Sequence, residues 1–319
     1  MSIATARQLL QLSKADLPVR GANVCVAMSG GVDSAVTAWA LRQLGAHRVS
    51  AVHMQNWDTR EEDDVPACAQ EADFAFVRQL ATRLGIDSCE QVNFASQYWL
   101  DVFQPLLAGL QSAVTPNPDV LCNQRIKFGL FLHEAAKRGF DAVVTGHYAR
   151  IVRPTAVTSP DALDDRPLLR LRRAADLLRD QSYFLCGVNG TALRNVHFPI
   201  GHLRKTDVRA IASLVPALAD VAERRSSRGL CFVGKRDFGD FVTQFIEKRP
   251  ATVVDYETGR ELARKDNFFA FTVGQRAHVP GLSQRYFVVE KRRDQRSADF
   301  RRPGAAARVA LCRRRLSLD

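Results

Sequence analysis

The sequence predicts an α/β protein: a doubly wound parallel sheet followed by a small helical and β-rich domain. Three observations lead there. Short apolar runs alternate with helix-length segments through the first half, a glycine-rich turn joins the first run to the first helix, and period-two alternation returns only after residue 251. Strands alternating with helices imply parallel strands joined by crossover helices on both faces, with the ligand at the strands' carboxyl ends.

Each element follows in order. Asn23–Met28 (NVCVAM) reads as a buried strand and Asp33–Gly45 as a helix; Val49–His53 is a second strand, Cys68–Gly85 a helix and Ser88–Asn93 a third strand. Ser96–Leu110 is helical, the Pro-rich loop Thr115–Asp119 opens a helix over Asn123–Arg138, and Ala142–Thr145 is a further strand. Pro154–Pro167, rich in Pro, Asp, Ser and Thr, reads as a surface loop. Helical pieces are expected from Asp180, over Lys205–Leu214 and over Phe238–Lys248, and Ala251–Glu290 reads as a β-rich module. These divide the chain into a lead-in helix or presequence (1–20), a nucleotide-binding domain (21–200), a second domain (201–291) and a basic tail (292–319) expected to be disordered.

Composition narrows the function classes. No apolar run approaches the roughly 20 residues of a membrane-spanning helix. Forty-five Lys and Arg against 34 Asp and Glu give a net charge of +11, which favours a polyanionic partner. The seven cysteines are odd in number and scattered, without a CxxC pair. That argues against a secreted disulfide framework, a structural zinc site and an iron–sulfur centre.

The sharpest local signal is Ser29-Gly30-Gly31-Val32-Asp33-Ser34, between a strand and a helix. Paired glycines let backbone approach a phosphate without a Cβ in the way, and the helix start supplies N–H groups and partial positive charge. Ser29 and Ser34 can donate hydroxyls, and Asp33 can orient the loop or help hold Mg²⁺. No Lys-Ser/Thr follows the glycines, so this is not a Walker A loop. A pyrophosphate-binding turn of the PP-loop type, as in enzymes that split ATP to AMP and pyrophosphate, is the resemblance it carries.

Two cysteines stand in Pro- or Gly-defined loops. Thr115-Pro116-Asn117-Pro118-Asp119-Val120-Leu121-Cys122-Asn123 places Cys122 at an expected helix mouth, where thiolate is favoured, with Asp119 one turn away for proton transfer. Cys231 lies in Ser227-Arg228-Gly229-Leu230-Cys231-Phe232-Val233-Gly234. Cys25, Cys89 and Cys186 read as buried, inert thiols, Cys68 as structural, and Cys312 falls in the tail.

SGGVDS, TPNPDVLCN with Ile126-Lys127-Phe128, Thr145-Gly146-His147-Tyr148, Asp180-Gln181-Ser182-Tyr183-Phe184-Leu185 and GLCFVG occur in that order over roughly residues 20–290. Together they resemble the tRNA-specific 2-thiouridylases, members of the PP-loop superfamily with an adenine nucleotide alpha hydrolase-like fold. The resemblance implies that Ala27, Met28, Ser29, Gly30, Gly31, Val32, Asp33, Ser34, Met54 and Gly146 bind ATP, whose phosphates carry Mg²⁺, without a metal held by protein ligands alone. It implies that Asn117, Pro118 and Asp119 meet the target uridine and that His147, Arg179, Asp180 and Gln181 contact tRNA. Cys122 would be the nucleophile, Cys231 the persulfide carrier and Asp119 the general acid/base. A cysteine desulfurase or sulfur-relay protein would supply the sulfur.

The sequence departs from the family's pattern at Val114, where a basic residue is usual, at Arg179, where Lys is usual, and at Ser226-Ser227-Arg228. The match dissolves at about Asp294, so the family's C-terminal β-barrel is expected to be missing. Asn56-Trp57-Asp58, Val233–Phe238 and Tyr286–Lys291 resemble mitochondrial members, which implies a matrix location. Two other readings stand beside this one: a PP-loop adenylating ligase with a nitrogen nucleophile, and an inactive tRNA-binding isoform.

Overall fold

The computed structural model describes residues 3–12, 16–45, 48–57, 68–153, 169–224, 238–281, 285–293 and 307–312. Cys231 with its whole loop, Asp58 and the 154–167 loop lie outside the described residues, as do the side chains of Cys68 and Cys312. The chain forms two units: residues 1–101 with 119–228, and residues 102–118 with 229–319.

The first unit is built on five parallel strands: β1 (Asn23–Ala27), β2 (Arg48–Gln55), β3 (Ser88–Asn93), β4 (Ala142–Val144) and β7 (Val196–His197). Their order is β3-β2-β1-β4-β7. The order reverses between β1 and β4, and in open sheets of this kind the crevice beyond that reversal is where ligands bind. A two-stranded antiparallel hairpin, β5 (Ala149–Val152) with β6 (Arg170–Arg173), separates β4 from β7 in sequence.

The sheet is buried on both faces, which is why β1 reads as an unbroken apolar run. Val24 and Val26 point into one core with helices α1 (Ile3–Leu12), α2 (Val32–Leu44), α3 (Cys68–Arg83) and α8 (Lys205–Leu214). Cys25 and Ala27 point into the other, with Val52, Val143, Phe131 and Ala135. The last two lie on α7 (Phe131–Lys137).

Helix α7 ends a longer helical run. It begins as α6 (Pro118–Leu121) and passes through a nine-residue π-helical stretch, Cys122–Leu130. The expected helix over 123–138 therefore starts five residues earlier, with Pro118 in its first turn, where a missing N–H costs nothing. The expected helix over 96–110 is likewise composite: α4 (Ala95–Tyr98), a π-helical turn (Trp99–Phe103) and α5 (Gln104–Gln111).

The boundary expected at residue 200 falls near 228. Val208, Ile211 and Ala212 of α8 are fully buried, and α8 packs against α1 and α2, followed by the short α9 (Ala219–Ala222). The lead-in helix is equally part of this core, since Ala6 and Leu10 have no exposed surface. Beyond it, Asp16 Oδ1 accepts from Arg153 Nη1 (2.6 Å) and His197 Nδ1 (3.0 Å). Burial pushes Asp16 up, but those partners outweigh it and hold its carboxyl below the ordinary value.

The second unit carries α10 (Phe238–Val242) and a five-stranded sheet: β8 (Ala251–Asp255), β9 (Glu261–Lys265), β10 (Arg276–Ala277), β11 (Tyr286–Arg293) and β12 (Ala307–Cys312). The order is β10-β11-β12-β8-β9. Two expectations are corrected here. The helix predicted over 238–248 stops at Val242, and residues 307–312 of the expected disordered tail form a central strand. β12 pairs antiparallel with β11 and parallel with β8, and its Val309 and Leu311 are fully buried.

Candidate active site

Three chain segments converge at the carboxyl ends of β1 and β4. The first is the turn from Met28 to Gly31. Gly30 has φ +76°, which a side chain resists, and a Cβ there would also press on Val77, Phe76 and Arg224. Ser34 turns its hydroxyl back into the turn, accepting from Ser29 N (3.2 Å) and donating to Gly31 O (3.0 Å). Gly31 is the N-cap of α2 and no side chain caps that helix. A 13-residue helix start cradled by glycines and left without a side-chain cap fits a pyrophosphate group.

The second segment is the turn after β4. A Cβ on Gly146 would lie 2.8 Å from both Asp33 C and Ser34 N, so only glycine lets this backbone touch the first turn of α2. The next residues fix the side chains of both turns. Tyr148 donates its hydroxyl to Asp33 Oδ1 (2.8 Å), and burial, with the charge of Asp33, raises the phenol's pKa.

The third partner came from far along the chain. Lys205, at the start of α8, is 7% exposed and places Nζ 2.6 and 2.7 Å from the two oxygens of Asp33. Its own N–H donates to Asp176 Oδ2 (2.9 Å), which positions the helix start. A further cation, Arg224, donates Nη1 to Gly30 O (3.2 Å) while stacking on Phe76. Sequence reasoning missed Lys205, Tyr148 and Arg224 as site residues. The absence of a lysine inside the loop itself was the available signal, because a bound polyphosphate needs cations from somewhere.

A hydrogen-bond chain links the turn after β4 to the helical run that holds Cys122. Asn123 donates Nδ2 to Asp119 O (2.9 Å), which leaves its Oδ1 to accept from His147 Nε2 (3.2 Å). His147 Nδ1 then accepts from Thr145 Oγ1 (2.6 Å). Burial, reinforced by Lys127, lowers the imidazole's pKa well below its usual value, so the ring is neutral. Both ring nitrogens of His147, a residue the resemblance assigns to tRNA, are engaged within the protein. Burial raises the pKa of Asp119, partly opposed by Lys127.

Cys122 is buried, with 1% of its surface exposed. It lies a full turn inside the helical run rather than at its mouth, because the run starts at Pro118. Dipole activation, which fades within the first turn, is correspondingly weaker than the sequence suggested. Asp119 and Cys122 are three residues apart on the helical run, which places them on neighbouring positions of one face.

The other expected residues fall as follows. Ala27, Met28 and Val32 are buried beneath the turn, and Met54 lies near the end of β2 against the Cys25 core. Asn117 and Pro118 precede Asp119 directly, and Pro118 is buried. Gln181 is tied to Tyr148 twice, accepting its N–H at Oε1 (2.9 Å) and donating its own N–H to the carbonyl (2.8 Å). Asp180 accepts from Ala174 N and Ser182 Oγ (both 2.7 Å); burial pushes its carboxyl up, but these bonds and Arg173 hold it below the ordinary range. Arg179 is partly exposed. Among the other cysteines, Cys25 is buried and its thiol is pushed up to about 12 by burial. Cys89 is half-buried, and Cys186 is exposed, contrary to its reading as buried.

A parallel sheet with an uncapped, glycine-cradled helix start at its reversal point is the architecture of the PP-loop class of α/β proteins. Two family models match: "tRNA methyl transferase HUP domain" over residues 22–235 and "tRNA methyl transferase PRC-barrel domain" over residues 239–297. The mitochondrial tRNA-specific 2-thiouridylase 1 of Drosophila melanogaster is 39% identical over 270 residues, covering 84% of this chain and 67% of that protein. Its Homo sapiens counterpart is 38% identical over 282 residues, covering 84% and 66%. The tRNA-specific 2-thiouridylase MnmA of Methylococcus capsulatus is 40% identical over 275 residues, covering 84% and 69%. The chain belongs to the tRNA-specific 2-thiouridylase family. It spans about two thirds of the length of these relatives.

Proposed function

We propose that this chain is an ATP-dependent tRNA-uridine 2-sulfurtransferase, forming 2-thiouridine at the wobble position. One observation carries the reading: the Thr145–His147–Asn123–Asp119 hydrogen-bond chain ties the turn after β4, whose Gly146 lies against Asp33 and Ser34, to the helical run that holds Cys122. ATP bound at Ala27–Ser34, with Met54 and Gly146 at the nucleoside, would adenylate the uridine O2 and release pyrophosphate. Mg²⁺ would arrive on the ATP phosphates, with Asp33 as the carboxylate nearest them. An unpaired anticodon base costs little to extrude into such a site, where Asn117, Pro118 and Asp119 would receive it.

The sulfur chemistry then balances as follows. The terminal sulfur of a Cys231 persulfide bonds to C2 and AMP leaves with the original oxygen. The Cys122 thiolate attacks the Cys231 sulfur, the S–S bond breaks, and 2-thiouridine departs. The resulting Cys122–Cys231 disulfide needs a two-electron thiol reductant, and a cysteine desulfurase or relay protein restores the persulfide. Asp119, already raised towards protonation, serves as general acid/base, while Arg179, Asp180 and Gln181 lie on the tRNA side. The relatives' names favour a mitochondrial location, and the matrix is the compartment proposed.

Nucleoside mass spectrometry after incubation with tRNA, ATP, Mg²⁺ and a persulfide donor tests this. Cys122→Ser and Cys231→Ser should each abolish 2-thiouridine yet keep tRNA-dependent ATP–pyrophosphate exchange. A nitrogen-using ligase would survive both changes, and a pure binder would show no exchange; either result overturns the proposal.

A further inference from the structure

We propose that the outward face of the β5–β6 hairpin is an RNA-backbone contact that holds phosphates next to the base lying at the nucleotide turn. The inference rests on the tRNA reading above and adds a surface to it.

The register sets the face. Arg150 stands directly opposite Arg172, and Val152 opposite Arg170, so three arginines share one side. Ile151 and Leu171, the pair between them, turn the other way into an apolar cluster with Phe198 and Leu193. Like charges directly across an antiparallel pair destabilise it, so Arg150 over Arg172 needs a counter-charge. Among the described residues, Asp180 is the carboxylate recorded within ion-pair reach of a hairpin arginine, 3.6 Å from Arg173. Arg173 pairs with Ala149 in register, on the opposite face. Arg170 and Arg172 are exposed.

The platform is firmly mounted. A Cβ on Gly201 would collide with the carbonyl of Ala149, so the hairpin backbone lies directly on that glycine, and Arg150 Nε donates to Arg173 O (2.7 Å) across the strands. It is also close to the chemistry. Tyr148, hydrogen-bonded to Asp33, is two residues before Arg150, a span of about 7 Å in extended chain. Beyond β6 the chain exposes Tyr183 (63%), an aromatic ring available for stacking on an unpaired base. Guanidinium forks on one rigid face, with an exposed ring nearby, suit ribose-phosphate better than an acidic protein surface.

The test is a salt series of tRNA binding with the full chain, comparing wild type, Arg170→Gln/Arg172→Gln and Arg170→Lys/Arg172→Lys. The Gln pair should lower the magnitude of the log Kd against log[salt] slope by about 1.5, weakening all tRNAs alike. The Lys pair should restore most of the slope, and ATP binding should be equal in all three. An unchanged slope in the Gln pair, with wild type binding tRNA normally, overturns this inference and leaves the sulfurtransferase reading standing. Failure of wild type to bind tRNA at any salt overturns that reading and this inference with it.

Discussion

Asp119 is placed where ionisation is disfavoured: burial raises its carboxyl's pKa, and Lys127 opposes this only in part. A carboxyl raised on folding penalises the folded state only when it must ionise. The penalty is absent below the unfolded value of 3.8, grows as pH rises through the folded pKa, and is constant above it. Asp119→Asn should therefore be more stable than wild type at pH 7.5, converge with it near pH 3.5, and form no 2-thiouridine. Urea midpoints at the two pH values measure the first part, and a variant less stable than wild type at pH 7.5 would refute it. Asp33 is fixed by partners from distant parts of the chain. Lys205 and Tyr148 hold its charge in place, so the loop's orientation depends on residues 172 and 115 positions away.

Helix α1 shows how an element's surroundings decide its role. The sequence left residues 1–20 as either a presequence or a lead-in helix, because Arg7 and the apolar spacing suit both. In the folded chain Leu10 is fully buried among the helices of the first unit, whereas Ile3 is 43% exposed. Leu10→Ala should cost about 2–5 kcal/mol, as core truncations do. Ile3→Ala should cost under about 1 kcal/mol. Equal, small losses in chemical denaturation would mean that α1 contributes nothing to the core. The π-helical stretch Cys122–Leu130 is the other element that patterning could not give. Apolar spacing in TPNPDVLCN and the residues after it predicts a helix but not its winding.

Across the whole molecule, the second sheet depends on β12. It is the middle strand of five, joining the β10–β11 pair to the β8–β9 pair. Ending the chain after Arg293 would leave β8 and β11 as open edges with Val253 and Val288 uncovered. Residues 251–293 should then become sensitive to limited proteolysis, whereas a chain ending after Cys312 should stay resistant. Equal resistance of the two would show that β12 is dispensable. The Arg-rich stretches on either side hid this strand: Ala307–Cys312 is a short apolar run inside a basic tail, and it gains its stability from partners more than 50 residues away in β8.

The sequence by itself determined what local chemistry can encode. The apolar runs of β1 and β4 marked the centre of a sheet covered on both faces, and SGGVDS between strand and helix marked the expected pyrophosphate turn. The ordered motifs around Cys122 and Asp180 marked the family. Tertiary structure alone decided which distant groups meet that turn. Lys205 was invisible there because an amphipathic helix start advertises its apolar face, not the carboxylate its amine will reach. Gly146 and Gly201 are required by backbones that approach them from elsewhere, so nothing in their own neighbourhoods explains them. The exposure of Cys186 and the depth of Cys122 follow the same rule. Hydrophobic periodicity is written residue by residue, whereas a hydrogen bond or a steric contact across 100 residues exists only after the chain has closed.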